Sequence, residues 1–489
     1  MSSQNSSDHL SRRAFLRAIG FAGGSALLAA CGQAAPAQPG AATAVAEGTT
    51  AVTGAATALA PTVNSAATSV TGAATALAPT VNSAATAVTG AATAIAPATG
   101  AGGEVSLLWS DTSNARAPLI EDFTKQTGIK VNQTIVQYNE RLNKITTAVQ
   151  GGGGFDVVQM DTIWTAQFAS AGWVEDLTAR ITDAIKQDVP ASSLSAVTYG
   201  GKLYGMPLFN SAKHLFYNEK LLKDAGFTAP PTTLDEFLTQ AKALTKSGQW
   251  GSVWSWKQSE ALICDWISIM FTMPGAQILD DAGKAVFHTK GGTEALQWMV
   301  DLLYTHKVAD PASLEYTEDD VRKALETGTY ALTYNWEGVL PEANDAQKSQ
   351  AAPNVRIALL PGSKDVKSSS VNGSEGWAIL KAAQNKDAAW ALLEYMASPA
   401  WQKKAAQIAG DYPILSSLYS DPDLQKNVQD FALYGEQFKY LAVRPQVPNY
   451  AQSSDIIQKH LHQALLQQAK PADAMAAAAD EVNQLGNTP

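Results

Sequence analysis

Acidic and aromatic side chains occur where the sequence predicts strand ends and helix starts. Asp161 directly follows an apolar run, and the loop 110–114, which carries acidic and amide side chains, follows another. Further on, Glu260 comes shortly after two tryptophans, and Trp336 directly precedes Glu337. Carboxylates and amides bind hydroxyl groups, and aromatic rings pack against flat C–H faces. The combination predicts a site for a polyhydroxylated ligand such as a sugar.

The same residue types allow catalysis, because paired carboxylates beside a bound sugar are also the machinery of glycosidases. No acid and base pair stands out, and the motifs G-x-S-x-G, H-E-x-x-H and a lysine-containing phosphate loop are absent from the sequence. The histidines are dispersed, so we expect no metal site and no cofactor. Cys264 lies among apolar residues, which favours a buried small hydrophobe over a nucleophile. We predict a binding protein, with a carbohydrate-active enzyme or a sugar-sensing receptor as alternatives.

Size and composition indicate a soluble protein with more than one folding unit. Of the 489 residues, 46% are apolar and 16% charged, which is enough apolar material to build hydrophobic cores. A chain of this length is too long for a single core of ordinary size. The net charge is -10 and lysines and arginines do not cluster, which argues against nucleic acid as a partner. Cys31 and Cys264 are the two cysteines, so a disulfide scaffold is excluded.

Strands and amphipathic helices alternate at the start of the predicted folded body, which begins at Glu104. Gly128 is placed to end the first helix as a C-cap. This alternation predicts a parallel α/β sheet, and such sheets bind ligands beyond the carboxyl ends of their strands. The crevice would be lined by the loops 110–114 and 161–164. The predicted strands cover residues 105–109, 129–136 and 155–160.

Later helices are marked by proline, glycine and capping residues. Thr232 and Asp235 have the spacing of a capping box before an amphipathic helix. Pro399 is placed to begin another helix that Gly410 follows, and Pro471 to begin the last one. These positions predict where the later helices start and stop.

Three export signals share the N-terminus. Arg12 and Arg13 resemble a twin-arginine motif, and the apolar run 18–30 is too short to span a membrane as a stable helix. The segment from Leu28 to Gly32 resembles a bacterial lipobox, which implies cleavage of a 1–30 signal peptide and lipidation of Cys31. Several acyl chains would hold the protein firmly at a membrane. The alternative is a cleaved soluble secretory protein with an incidental cysteine.

Residues 31–103 are dominated by alanine, threonine, glycine and proline. An 18-residue pattern that begins at Thr53 returns at Thr71 and restarts at Thr89. Such a stretch cannot bury enough apolar surface to fold. We interpret it as a disordered tether between lipid and body, with short alanine-rich helices as the alternative.

Segments of the body follow one another in an order known from one family. They are G-F-D-V-V-Q-M-D-T-I-W from Gly154, Y-G-M-P from Tyr204, F-Y-N-E-K from Phe216 and L-E-Y-M-A-S-P from Leu393. Together they resemble the family 1 extracellular solute-binding proteins, which include maltodextrin- and trehalose-binding proteins. The resemblance implies an α/β fold of the type II periplasmic-binding-protein kind, whose two lobes close around a ligand at a hinge. We place lobe 1 at 104–211 plus 376–410, and lobe 2 at 212–375 plus 411–489.

The resemblance also implies a function. The protein would capture a mono- or oligosaccharide between its lobes and deliver it to the permease subunits of an ABC importer. It would work outside the cytoplasm, as a monomer anchored to the membrane through Cys31.

Ten residues are candidates for contacting the ligand. In the resemblance, Asp161 aligns with a carboxylate that accepts hydrogen bonds from sugar hydroxyls, although it could equally cap a helix. Trp336 and Trp377 stand at stacking positions, and Arg444 has the alternatives of reaching the ligand or pairing structurally with an acid. The complete set is Asp111, Asn114, Asp161, Phe209, Asn210, Glu260, Trp336, Gly376, Trp377 and Arg444.

Overall fold

The structure, a computed structural model, describes residues 103–111 and 114–486, all within one compact unit, Ala91–Pro489. The strands are β1 (Gly103–Trp109), β2 (Ile129–Ile135), β3 (Val157–Asp161), β4 (Thr198–Tyr199), β5 (Lys202–Leu203), β6 (Met206–Phe209), β7 (Lys213–Asn218), β8 (Leu332–Trp336), β9 (Val355–Ala358), β10 (Ser370–Val371), β11 (Glu375–Ile379) and β12 (Leu441–Ala442). The α-helices are α1 (Ala117–Thr127), α2 (Tyr138–Gln150), α3 (Thr162–Ser170), α4 (Asp183–Asp188), α5 (Ala191–Ala196), α6 (Glu219–Asp224), α7 (Leu234–Leu244), α8 (Glu260–Met270), α9 (Gly292–Tyr304), α10 (Glu318–Glu326), α11 (Val339–Ala343), α12 (Lys386–Met396), α13 (Pro399–Ala409), α14 (Pro422–Asn427), α15 (Phe431–Gln437), α16 (Tyr450–Leu465) and α17 (Pro471–Gln484). Short 3-10 helices cover Phe287–Thr289, Pro311–Leu314, Ser416–Ser420 and Phe438–Tyr440.

The first sheet has the strand order β2-β1-β3-β11-β6. β1 pairs in parallel with β2 and β3, whereas β11 runs antiparallel to β3 and β6. Helix α1 buries Leu119, Ile120 and Phe123 and ends at Gly128, whose φ of 74° is left-handed. The predicted parallel α/β arrangement is confirmed, and the carboxyl ends of β1 and β3 lie at one edge of the sheet.

The second sheet is antiparallel, with the order β8-β7-β9. Its apolar core joins Leu215 of β7 and Tyr334 of β8 to helices α8, α9, α16 and α17. A different core covers the first sheet and includes Trp109 and Trp377, whose ring centroids are 5.7 Å apart. Each sheet therefore has its own hydrophobic core, as a two-lobed protein requires.

Connections between the sheets run side by side. The chain passes from β6 to β7 through residues 210–212 and returns between β10 and β11. Asn210 forms an isolated bridge with Tyr412, which follows α13, and Ala212 forms one with Asn372. The lobe limits 104–211 plus 376–410 and 212–375 plus 411–489 stay a prediction, which these sheet changes support.

Most of the marked helix boundaries are confirmed. Helix α13 runs from Pro399 to Ala409 and is followed by Gly410 in the left-handed conformation, and α17 begins at Pro471. The predicted capping box is wrong by one residue, because α7 begins at Leu234 and is capped by the hydroxyl of Thr233. The carboxylate that returns to the start of this helix is that of Glu236, which accepts from the Thr232 backbone N–H (2.7 Å).

The sequence predictions for the signal peptide 1–30, for Cys31 and for the tether lie outside the described residues, apart from Gly103 at the start of β1. Within residues 103–111 and 114–486, no helix is long and apolar enough to cross a membrane. The same ranges hold no group of three or more His, Cys, Asp or Glu placed to hold a metal ion. Cys264 is buried, and burial raises the pKa of its thiol.

Candidate functional site

A cavity of about 260 Å³ lies at the carboxyl edge of the first sheet, against the second sheet and helix α8. Residues from β1, β3, β6, β8 and β11 line it, because the first four strands end there and β11 begins there. Most of the lining side chains are acidic, basic or aromatic. The acidic, basic and aromatic residues are Trp109, Arg116, Tyr138, Arg141, Asp161, Phe209, Glu260, Glu318, Trp336, Glu337, Glu375, Asp411 and Arg444. The other lining residues are Ser110, Gln159, Leu208, Ser211, Ala261, Cys264, Gly338 and Gly373.

Arg444 joins the two sides of the cavity. Its guanidinium donates to Asp161 Oδ1 (3.1 Å) at the end of β3 and to Glu260 Oε1 (3.0 Å) at the start of α8. A third bond runs to the backbone carbonyl of Asn372 (3.2 Å). Burial raises the pKa of Glu260 even though the Arg444 charge opposes the shift. Buried charges persist in proteins only when paired in this way.

Asp161 serves the cavity and the helix that follows it. One oxygen accepts the backbone N–H of Ile163 (3.2 Å), which caps α3, and the other accepts the Tyr138 hydroxyl (2.7 Å). The capping and ligand-facing interpretations of Asp161 are therefore compatible, since the side chain caps α3 while it lines the cavity.

Two further arginines form ion pairs with buried carboxylates. Arg141 Nη2 lies 2.8 Å from Glu375 Oε2, and Arg116 donates to Asp411 Oδ2 (2.8 Å) and to Asp111 Oδ1 (2.7 Å). Burial raises the pKa of Glu375, and the Arg141 charge opposes that shift. The arginines on the cavity are thus already compensated by carboxylates.

Trp336 is held in one orientation by its surroundings. Its indole Nε1 donates to Glu318 Oε1 (2.6 Å), and Lys213 Nζ lies 5.3 Å from the ring centroid. Gly373 packs so closely on the ring that a Cβ there would lie 2.3 Å from Trp336 Cζ3. A fixed, partly exposed ring is suited to stacking on a flat ligand face.

The Gly373→Ala variant should bind ligand about tenfold more weakly. The added methyl group must displace the Trp336 ring, and an aromatic contact contributes about 0.5–1.5 kcal/mol. Calorimetric titration with a sugar that the wild type binds measures the change in affinity, and circular dichroism checks that the fold is retained. Unchanged affinity would show that the ring position is not fixed by Gly373.

Glu337 follows Trp336 and is buried. Ser211 Oγ donates to its Oε2 atom (3.0 Å). Burial raises the pKa of Glu337 to about 8. Hydrogen bonds from its own backbone N–H, from Ser211 and from the Ala212 backbone N–H oppose this shift without cancelling it. At neutral pH this carboxyl group is therefore mainly protonated.

Four residues that line the cavity carry buried hydrogen-bond donors without partners in the described part of the chain. Buried polar groups in proteins are nearly always hydrogen-bonded, so a ligand that satisfies these donors would gain affinity. The atoms are Trp109 Nε1, Ser110 Oγ, Arg141 Nε and Arg444 Nε.

Half of the sequence-predicted residues line the cavity: Asp161, Phe209, Glu260, Trp336 and Arg444. Asp111 is buried behind it, where it pairs with Arg116. Asn114 is exposed, with a left-handed φ of 55°.

The remaining predicted residues have structural surroundings. The Asn210 amide donates to the Pro413 carbonyl (2.9 Å). Gly376 pairs within the first sheet, and Trp377 is fully buried in its core against Trp109. None of these three is among the cavity-lining residues described above.

Sequence reasoning did not select several cavity residues. Arg141 is in the first turn of α2, where charged residues are often exposed, but it is buried against the rings of Tyr138 and Trp164. Its partner Glu375 lies 234 residues away, and no local pattern could connect the two. The other unselected charged residues are Arg116, Glu318, Glu337 and Asp411.

A separate core for each sheet, with a buried polar cavity between the two sheets, is typical of two-lobed ligand-binding proteins. The family profile described as "Bacterial extracellular solute-binding protein" matches residues 109–403, and the chain belongs to this family. The fold and the solute-binding function predicted for the chain are thereby confirmed, and an extracytoplasmic location follows from the family.

Known relatives and structures agree. A probable ABC transporter-binding protein of Deinococcus radiodurans is 28% identical over 333 residues, covering 65% of this chain and 77% of that protein. Maltose-bound MalE3 of T. maritima is 29% identical with a TM-score of 0.74, covering 78% of this chain and 100% of that one. An ABC transporter solute-binding protein of Thermotoga lettingae bound to α-D-tagatose is 26% identical with a TM-score of 0.72, covering 78% of this chain and 99% of that one.

Proposed function

We propose that the protein captures a neutral sugar in the described cavity and delivers it, without chemistry, to the permease of an ABC importer. The single observation that carries the choice of ligand is the set of unpartnered donors, Trp109 Nε1, Ser110 Oγ, Arg141 Nε and Arg444 Nε. We assign their missing partners to acceptor oxygens on the ligand. Sugar hydroxyl and ring oxygens are such acceptors.

The charges of the cavity support a neutral ligand. An anion would meet the carboxylates of Asp161, Glu260 and Glu375, while each arginine is already paired. An ammonium ligand would leave the unpartnered donors unsatisfied, because it offers no acceptor. Hydroxyl groups both donate and accept, so they complement carboxylates and N–H donors together.

The maltose and tagatose complexes of the structural neighbours favour a sugar over other neutral ligands. The cavity of about 260 Å³ is slightly smaller than the range of about 300–1,000 Å³ for small-molecule sites, which favours one or two sugar rings over a longer chain. We keep the sequence-based proposal of a monomer anchored through a lipid on Cys31. The tether of residues 31–103 would let the body reach both ligand and permease.

Replacing Trp336 with alanine should weaken sugar binding at least about 30-fold, which corresponds to about 2 kcal/mol. The variant removes a large aromatic surface that is already oriented by Glu318 and Gly373. Calorimetry against maltose, D-glucose and D-tagatose measures the affinity, and analysis of the recovered sugars tests for turnover.

The matched control is Trp298→Ala in helix α9, which removes a tryptophan from the outer side of the second core, away from the cavity. It should lower thermal stability and leave the sugar affinity within about threefold. Product formation, or tight binding only of charged ligands, would contradict the proposed function.

A further inference from the structure

Glu337 is distinct among the carboxylates that line the cavity. Within the described residues, every other one has a cation within 4 Å, and Glu337 has none. The paired carboxylates are Asp161 and Glu260 with Arg444, Glu318 with Lys213, Glu375 with Arg141, and Asp411 with Arg116.

The surroundings of Glu337 disfavour its negative charge. The side chain is buried and lies next to Ser211, in the connection between the two sheets. Asp411, in a neighbouring connection, adds a like charge that Arg116 partly compensates. A buried carboxyl group without a cation is most stable as the neutral acid, which carries an O–H donor.

We propose that Glu337 binds the sugar as a neutral carboxylic acid that donates a hydrogen bond to a ligand oxygen, so that alkaline solution weakens capture. The inference rests on the proposed function and adds to it a residue that donates a hydrogen bond to a sugar oxygen. When Glu337 ionises, this donor is lost, and a ligand oxygen that can only accept, such as a ring oxygen, would face a negative charge.

The tyrosines near Glu337 and His214 stay neutral over the range in which Glu337 titrates. Burial raises the pKa values of Tyr412, Tyr419 and Tyr434, so these phenols remain neutral up to pH 9. Burial lowers the pKa of His214, which contacts Tyr412, to about 4, so it is neutral from pH 7 upward. With a pKa of about 8, Glu337 changes charge between pH 7 and pH 9, whereas these three tyrosines and His214 do not.

Calorimetry at pH 7 and pH 9 tests the inference with maltose, D-glucose and D-tagatose, and with D-glucosamine as the basic counterpart of glucose. If only the acid form binds, the dissociation constant of a neutral sugar should rise about tenfold from pH 7 to pH 9, following the fraction of protein in that form. Binding at pH 9 should also take up about one proton, which is measured by repeating the titration in buffers of different ionisation enthalpy.

Variants separate this role from a structural one. In Glu337→Gln the side chain keeps an N–H donor and cannot ionise, so its affinity should be the same at both pH values, although weaker than that of the wild type at pH 7. Glu121→Gln, on the exposed face of α1, is the matched control and should keep the wild-type pH dependence.

The outcomes are distinguishable. Sugar binding with a pH-independent dissociation constant and no proton uptake would overturn the role of Glu337 while leaving the proposed function intact. D-glucosamine binding more tightly than D-glucose, with loss of that preference in Glu337→Gln, would also overturn it, because Glu337 would then act as a carboxylate. Absence of any sugar binding at pH 7 would overturn the proposed function and this inference with it.

Discussion

Sugar binding by the Arg444→Met variant is expected to be at least about 100-fold weaker than by the wild type, which corresponds to about 3 kcal/mol. Methionine keeps much of the side-chain volume and removes the charge. Asp161 and Glu260 would then face the cavity without a cation, and an unpaired buried charge is costly. The variant also deletes a donor, Nε, that we assign to the ligand.

Arg444→Lys distinguishes charge from geometry. Lysine restores a positive charge but cannot bond Asp161, Glu260 and the Asn372 carbonyl with one rigid fork, so we expect an intermediate affinity. Arg180→Met is the matched control, because Arg180 pairs with the exposed Asp387 far from the cavity lining. Calorimetry gives the affinities, and thermal unfolding confirms that each variant is folded. Wild-type affinity in Arg444→Met would exclude Arg444 from the site.

Elements with strong local signals were predictable. The first strands and helices follow from alternating hydrophobic periods, and Gly128 and Gly410 end helices in the left-handed conformation that glycine adopts readily. Asp161 could be placed at the ligand crevice because the carboxyl ends of parallel strands share one edge. Such inferences need only neighbouring residues and a general topological rule.

Contacts between distant segments were not predictable. The family resemblance suggested stacking roles for both Trp336 and Trp377, but it does not say which face of a strand meets the cavity. Pairing in the first sheet turns Trp377 into the core, whereas Trp336 lies at the end of β8 with part of its ring exposed. The ion pair of Arg141 and Glu375 depends on strand and helix positions that no local pattern contains.

The buried ion pair of Lys213 and Asp265 couples the second core to the cavity. Both side chains are fully buried, with Lys213 Nζ 2.7 Å from Asp265 Oδ1 and 3.1 Å from Glu318 Oε1. Burial raises the pKa of Asp265 to about 6, and the Lys213 charge opposes that shift. Burial also disfavours the Lys213 charge, but Asp265 and Glu318 raise its pKa overall. The lysine thus remains charged next to the Trp336 ring.

Asp265→Asn should lower the free energy of unfolding by about 3 kcal/mol, measured by urea titration at pH 7.5. The substitution keeps the shape of the side chain and leaves the buried Lys213 with one carboxylate, that of the partly exposed Glu318. Removing one partner of a buried pair costs about 3–5 kcal/mol, and Glu318 places the value at the lower end. The surface control, Asp387→Asn, should change stability by less than about 0.5 kcal/mol, because its partner Arg180 is also exposed.

The double variant Lys213→Met, Asp265→Asn tests whether the loss comes from the unpaired charge. Removing both charges should recover part of the stability lost in Asp265→Asn, so the two substitutions should not be additive. Sugar affinity should still fall in the double variant, because the cation beside the Trp336 ring is gone. The hydrogen bond from Trp336 Nε1 to Glu318 is kept, so the change in affinity reports on the cation. Additive losses of stability would instead show that the charges do not interact. In that case Lys213 would support Trp336 through packing, and its replacement by methionine would leave sugar affinity unchanged.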